Sequence, residues 1–211
     1  MSEILLPAIY DTIVMVFFST LFAVILGSIL GIILVLTSPK GLKENRTVYQ
    51  ILDAIINVLR SFPFIILIVV IIPLTRTIVG RSTGTAAAIV PLTIAAAPFV
   101  ARIIEASLKE VDPGVIEAAK SFGASNAQII FKVMIKEAVP SIISGLTLTV
   151  INIIGYSAMA GSVGAGGLGD VAIRYGYQRY ETDVMIVTVI LLIIIVQGLQ
   201  SLGNNLYKKL S

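Results

Sequence analysis

Residues 12–38 read TIVMVFFSTLFAVILGSILGIILVLTS, 27 positions without one charge. A helix rises about 1.5 Å per residue, so about 20 apolar residues cross the hydrocarbon core of a bilayer. This run crosses with residues to spare. It is too long for the core of a signal peptide and no Lys or Arg precedes it, so it reads as a retained span. In the whole chain 57% of residues are hydrophobic and 13% charged, against about a quarter charged in a soluble domain. No aqueous fold of 211 residues hides so much apolar sequence, so its surface must face lipid.

Further apolar runs lie at about 49–73, 82–106, 140–160 and 183–207. The second carries Asp53 and Arg60, and the third carries Pro91, Pro98, Arg102 and Glu105. The expectation is an all-α integral membrane protein of about five transmembrane helices, one domain over residues 1–211. Ten of the 15 Lys and Arg residues fall on one side of these spans: Lys40, Lys43 and Arg46, the group from Arg102 to Lys136, and Lys208 with Lys209. Short basic loops stay cytoplasmic. The C-terminus is therefore expected in the cytoplasm and the N-terminus outside.

Several function classes are excluded. Cys and His are both absent, which removes thiolate chemistry, His-dependent triads and the commonest metal ligand. Gly164, Gly166 and Gly169 spell G-x-G-x-x-G, with Glu181 or Asp183 as a following acid. That fingerprint cradles a pyrophosphate only where a strand meets a helix inside a βαβ unit. Here it comes after a membrane span on the expected external side. The simpler reading is an irregular external loop, about 161–182, where glycine lets the backbone turn or approach a neighbour. The tyrosines of RYGYQRY just beyond suit a membrane interface.

The long region between the third and fourth spans, about 107–139, reads as two short helices. Asp112 can cap the first, with Pro113 at its first position, and Gly123 can end it. Ser125 with Gln128 forms a capping box for the second. That helix puts Gln128, Lys132 and Lys136 on a polar stripe, with Ile129, Ile130, Val133 and Met134 on the buried side.

Within this region EAA at Glu117, Ala118 and Ala119, with Gly123 beyond it, resembles the cytoplasmic loop of permease subunits of bacterial ATP-binding-cassette importers. The resemblance implies a coupling helix that docks into a separate ATPase subunit, with an acidic residue able to hold the helix in place. Val133 matches the apolar position ten residues after the glycine. Where the family usually has a proline this chain has Lys136, which leaves Pro140 as the candidate for the turn into the fourth span. The chain has no G-x-x-x-x-G-K-[ST] loop, so ATP and magnesium belong to a partner and the chain is not itself an enzyme.

RSFPFIIL (60–67), AAIVPLTIAAAPFVAR (87–102), GYSAMAGSVGAGGLG (155–169) and RYGYQRY (174–180) resemble one subgroup, the membrane subunits of methionine importers. This likeness covers essentially the whole chain. It implies a type I importer permease in the bacterial inner membrane: a homodimer with a pore between the copies, two ATPase subunits below and a methionine-loaded binding protein or lipoprotein outside. It brings no cofactor into this chain and no nucleic acid. Met159 is by likeness a candidate gate, with Tyr156 and Ser157 as polar contacts beside it. Arg60 either lines the pathway, pairs with Asp53 two turns earlier, or snorkels to the interface. Gly27 and Gly31 form a G-x-x-x-G that marks a close helix contact, and Pro91 and Pro98 are expected to bend the third span. Alternatives are another amino acid or a peptide as solute, an ATP-independent secondary transporter or channel whose Asp53 and Arg60 carry ion coupling, or a membrane scaffold.

Overall fold

In the computed structural model, which describes residues 2–210, the longest apolar run becomes the longest uninterrupted α-helix, α1 (Ser2–Thr37). It starts ten residues before the apolar run, because its first turns continue over Pro7 and Asp11. Beyond it lie α2 (Arg46–Ser61), α3 (Phe64–Val70), α4 (Ile72–Val79), α5 (Thr85–Lys109) and α6 (Pro113–Ser121). Next come α7 (Asn126–Gln128), α8 (Ile135–Gly161), α9 (Gly167–Val171) and α10 (Thr182–Leu210). Four helices are long and apolar enough to cross a membrane, and the bent pair α2 with α3 makes a fifth candidate.

That pair divides the expected second span, about 49–73, into two segments. Its two halves meet at 104°. Proline disfavours the helical region for the residue before it, and Phe62 sits at ψ 125° ahead of Pro63 at ψ 127°. The chain leaves the helix at Phe62 and resumes it at Phe64. Pro91 and Pro98 do not end their helix: both are buried inside the continuous α5.

Packing centres on α5. It lies along α1, with α8 against its other side and α10 against α8. Gly27 and Gly31 set the closest approach: a Cβ on Gly27 would lie 2.6 Å from the Ala97 carbonyl oxygen, and one on Gly31 2.7 Å from that of Ala101. Only a residue without a Cβ lets the two backbones meet this closely, which is the role expected of the G-x-x-x-G.

The bundle has two distinct ends. At the basic end the α1–α2 connection meets α7, where the Asn126 amide donates to the Leu42 carbonyl at 3.3 Å. At the glycine end the Gly84 N–H donates to the Gly164 carbonyl at 2.8 Å. The region expected to be an irregular external loop is partly helical instead. After a turn with positive φ at Gly164, Gly166 and Gly167, the chain forms α9 and then a π-helical turn (Ala172–Tyr177). Leu168 and Val171 are buried, and the Leu168 N–H donates to the Thr12 hydroxyl at 2.8 Å. A Cβ on Gly161 would strike the Asp170 backbone, and one on Gly169 would strike that of Ala158. The glycines serve a close backbone crossing.

Candidate coupling helix and translocation site

Short-range capping sets α6 apart from the bundle. Asp112 accepts from the Gly114 N–H at 2.6 Å, and Pro113 occupies the first turn, where its missing N–H leaves nothing unsatisfied. At the far end Gly123 takes φ 77°, and its N–H donates to Lys120 at 2.9 Å. The Ala124 N–H then donates to Ala119 at 3.1 Å. The Ser125–Gln128 capping box is formed as the sequence predicts, with Ser125 N–H to Gln128 at 2.8 Å and Gln128 N–H to Ser125 at 3.3 Å. From Asn126 the chain runs as one continuous helix to Gly161. No turn forms at Pro140: Lys136 keeps the N–H a proline would lack, and a π-helical turn (Ile129–Met134) takes up the register. Ile129, Ile130 and Met134 are buried while Val133 is half-buried.

No residue of α6 is buried. Ile116 and Ala119 rest on the core, while Glu117, Ala118 and Gly123 face outward. Glu117 is exposed in this chain. It lines a cleft of about 510 Å³ with Lys40, Lys109 and Lys120, between α6 and the C-terminal end of α1. At the tip Phe122 is 92% exposed, the barest large apolar side chain among the described residues.

A charge network at the C-terminal end of α5 joins it to α2. The Arg102 guanidinium donates to the Asp53 carboxylate, to Asn57 at 2.8 Å and to Glu105 at 2.6 Å. Glu105, 5% exposed, also accepts from Lys109 at 2.6 Å and from the Tyr49 hydroxyl at 3.0 Å. A charge so deep needs partners on every side, and these supply them. Nearby, the Ser107 and Ser141 hydroxyls hydrogen-bond at 3.0 Å, and Ser141 donates to Glu110 at 2.8 Å, joining α5 to α8. The segment that launches α6 is thus tied to α2 and α8.

The break between α2 and α3 assembles a second group. Phe64 stacks on Tyr156 of α8 at 4.7 Å, which occupies the Tyr156 ring in packing. Met159, one turn further on, is 51% exposed. Ser157 is buried and its hydroxyl donates to the Ile154 carbonyl at 2.8 Å, so it offers no polar contact to a solute in this structure. Arg60 stands over the Phe99 ring at 5.0 Å. It does not pair with Asp53, because Arg102 has taken that carboxylate.

With this geometry the chain can be set beside known proteins. Residues 23–210 match the family described as binding-protein-dependent transport system inner membrane component. The chain belongs to that family. Relatives of this inner membrane component include the probable D-methionine transport system permease protein MetI of Vibrio cholerae, 51% identical over 208 residues, 99% of this chain and 92% of the relative. The methionine import system permease protein MetP of Bacillus subtilis is 47% identical over 172 residues, 82% of this chain and 78% of the relative. A solved structure described as an inward-facing conformation of the MetNI methionine ABC transporter superposes with a TM-score of 0.98 at 43% identity. The superposition covers 100% of this chain and 98% of that one.

For an inner membrane transport component the structure groups the expected residues into two places: Glu117, Ala118, Ala119 and Gly123 on a projecting helix, and Arg60, Tyr156 and Met159 around a broken span. Two features were missed in the sequence. Phe122 reads as one more apolar residue until the glycine after it is seen to end the helix and leave it bare. Arg102 and Glu105 read as residues near a span end, although their i, i+3 spacing, continued to Lys109 at i+4, already places them on one helix face.

Proposed function

We propose that this chain is the membrane subunit of an ATP-driven methionine importer, in which two copies enclose the pathway. Two cytoplasmic ATPase subunits receive α6, the centre of a coupling loop over about residues 107–139. An external binding protein or lipoprotein delivers methionine to the glycine end, about 161–182. The basic end lies in the cytoplasm, so the N-terminus is outside and the C-terminus inside. ATP and magnesium act in the partner subunits. The observation that carries the reading is α6 itself: a capped helix without one buried residue, ending in the bare Phe122 ring and resting on the π-helical turn that opens α8.

A surface helix with no fully buried residue leaves a face for another chain to cover. Ala118 keeps the docking face small, Phe122 supplies an apolar anchor for a socket, and Glu117 offers a charge beside it. Coupling requires the helix to bind the open and closed ATPase states with different free energies. The ties from Glu105 and Ser141 then carry its displacement into α2 and α8. Met159, exposed near the glycine end, acts as the gate, since a flexible thioether closes a narrow pore and yields to an apolar side chain.

The test is uptake of labelled methionine by a transport-deficient host expressing the chain with its ATPase and binding protein. Glu117→Lys is expected to abolish uptake and ATPase copurification at unchanged membrane abundance. Phe122→Ala is expected to weaken ATPase retention by about tenfold, the loss typical of an anchor side chain. Wild-type uptake of other amino acids but not methionine would retract the substrate. Uptake without any ATPase would retract the importer.

A further inference from the structure

Arg60 is the one charged side chain among the described residues that sits deep in a span without a carboxylate. Its depth is set by its neighbour. Phe99 lies ten residues before the Lys109 end of α5 and fourteen after Thr85, hence about 15 Å and about 21 Å from the two ends. That is near the middle of α5, one of the helices long and apolar enough to cross a membrane. Arg60 is exposed on the single chain and packs over the Phe99 ring. No ion pair among the described residues includes it.

An exposed guanidinium at this depth has three possible surroundings. Lipid tails are excluded by the cost of a bare charge in hydrocarbon. A second copy brings the same residues, and its acids nearest this depth, Asp53 and Glu105, are held by Arg102 and Lys109. What remains is a water-accessible pathway between the copies. The side chain is prepared for an anion there. The guanidinium lies over the Phe99 ring at 5.0 Å, and no ion pair among the described residues occupies its N–H groups, which can meet a carboxylate with two parallel hydrogen bonds. Apolar side chains surround the same break. Phe62 is 41% exposed two residues on, and Met159 projects from α8 one turn beyond the Phe64–Tyr156 stack.

We propose that Arg60 receives the α-carboxylate of the transported amino acid within the pathway, on the way to or from the Met159 gate, while the exposed Phe62 contacts its side chain. This rests on the importer reading and deepens it by assigning a transient site to the membrane subunit itself. The contact stays weak enough to release. A wet, exposed Arg–carboxylate pair contributes modestly, and a permeant ion or solute must leave a site as readily as it enters.

The experiment uses vesicles reconstituted with the permease, its ATPase and its binding protein. Labelled methionine uptake and ATP hydrolysis are measured together for wild type, Arg60→Gln, Arg60→Met and Arg60→Lys. The expected result is binding-protein-stimulated hydrolysis within about twofold of wild type in all variants. Methionine carried per ATP falls by about tenfold in the Gln and Met variants, and Lys lies between them and wild type. Unchanged methionine per ATP in Arg60→Gln and Arg60→Met would overturn the assignment. So would hydrolysis falling in step with uptake in all three variants, Lys included, since that marks a structural arginine. If wild type carries a different α-amino acid, the methionine reading fails and the same ratios are scored with that solute, whose carboxylate is the same. If wild type carries no α-amino acid, the assignment fails as well.

Discussion

Asp53 and Arg60 of helix α2 lie seven residues apart, about 10 Å along its axis, and the fold treats them in opposite ways. At Asp53 the charge is answered on the spot: Arg102 bridges it to Glu105, and Glu105 is shared with Lys109 and Tyr49. At Arg60 the charge meets an aromatic face and is left open. The first arrangement costs desolvation and recovers it through charge-assisted hydrogen bonds, so it belongs to the frame. The second keeps its hydrogen-bonding capacity for something outside the chain. A buried charge with every partner present fixes helices in place. One at the same helix's broken end, lacking its partner, is where a ligand fits.

Three substitutions bear on this contrast, from the largest effect on stability to the smallest. Arg102→Met should be the most severe, because it removes the only ion-pair partner that Asp53 has among the described residues and one of the two cations on the buried Glu105. A loss of about 3 kcal/mol is expected, read as a lower unfolding temperature of the detergent-purified complex and poorer assembly. A stable, active Arg102→Met permease would mean that the network does not hold α2 to α5. Tyr49→Phe removes one hydrogen bond to an ion that keeps its other donors, so about 1 kcal/mol should be lost with transport retained. Thermal unfolding of that variant shows whether the network is cooperative, since a drop matching Arg102→Met would mean that its members fail together. Arg60→Gln should leave the unfolding temperature within the small range of surface changes, about 0.5 kcal/mol, while transport suffers. If it instead unfolds as early as Arg102→Met, the two positions are alike and the distinction collapses.

The same contrast shows how far a sequence can be read. Span number, the polarity of the two ends, the caps at Asp112 and Ser125 and the projecting EAA segment arise from local rules, and each is present. Asp53 exposes the limit. Its seven-residue spacing to Arg60 suggested an intrahelical pair, yet a residue 49 positions away takes it, and helix periodicity says nothing about which helix lies opposite. Proline was equally ambiguous. Pro63 falls where its helix stops and restarts, whereas Pro91, Pro98 and Pro140 lie inside helices that continue through them, and sequence alone does not say which. Ser157 looked available to a solute and is turned into the core.

By itself the sequence determined that this chain lives in a bilayer, which end of the bundle is basic, and that one helix stands apart from the core. Those properties depend on composition and on neighbours within a few residues. Only the tertiary structure decided which charges cancel and which stay open. That depends on contacts between residues far apart in the chain, made once α1, α5 and α8 pack closely enough for glycine backbones to touch and for Arg102 to reach Asp53 before Arg60 can.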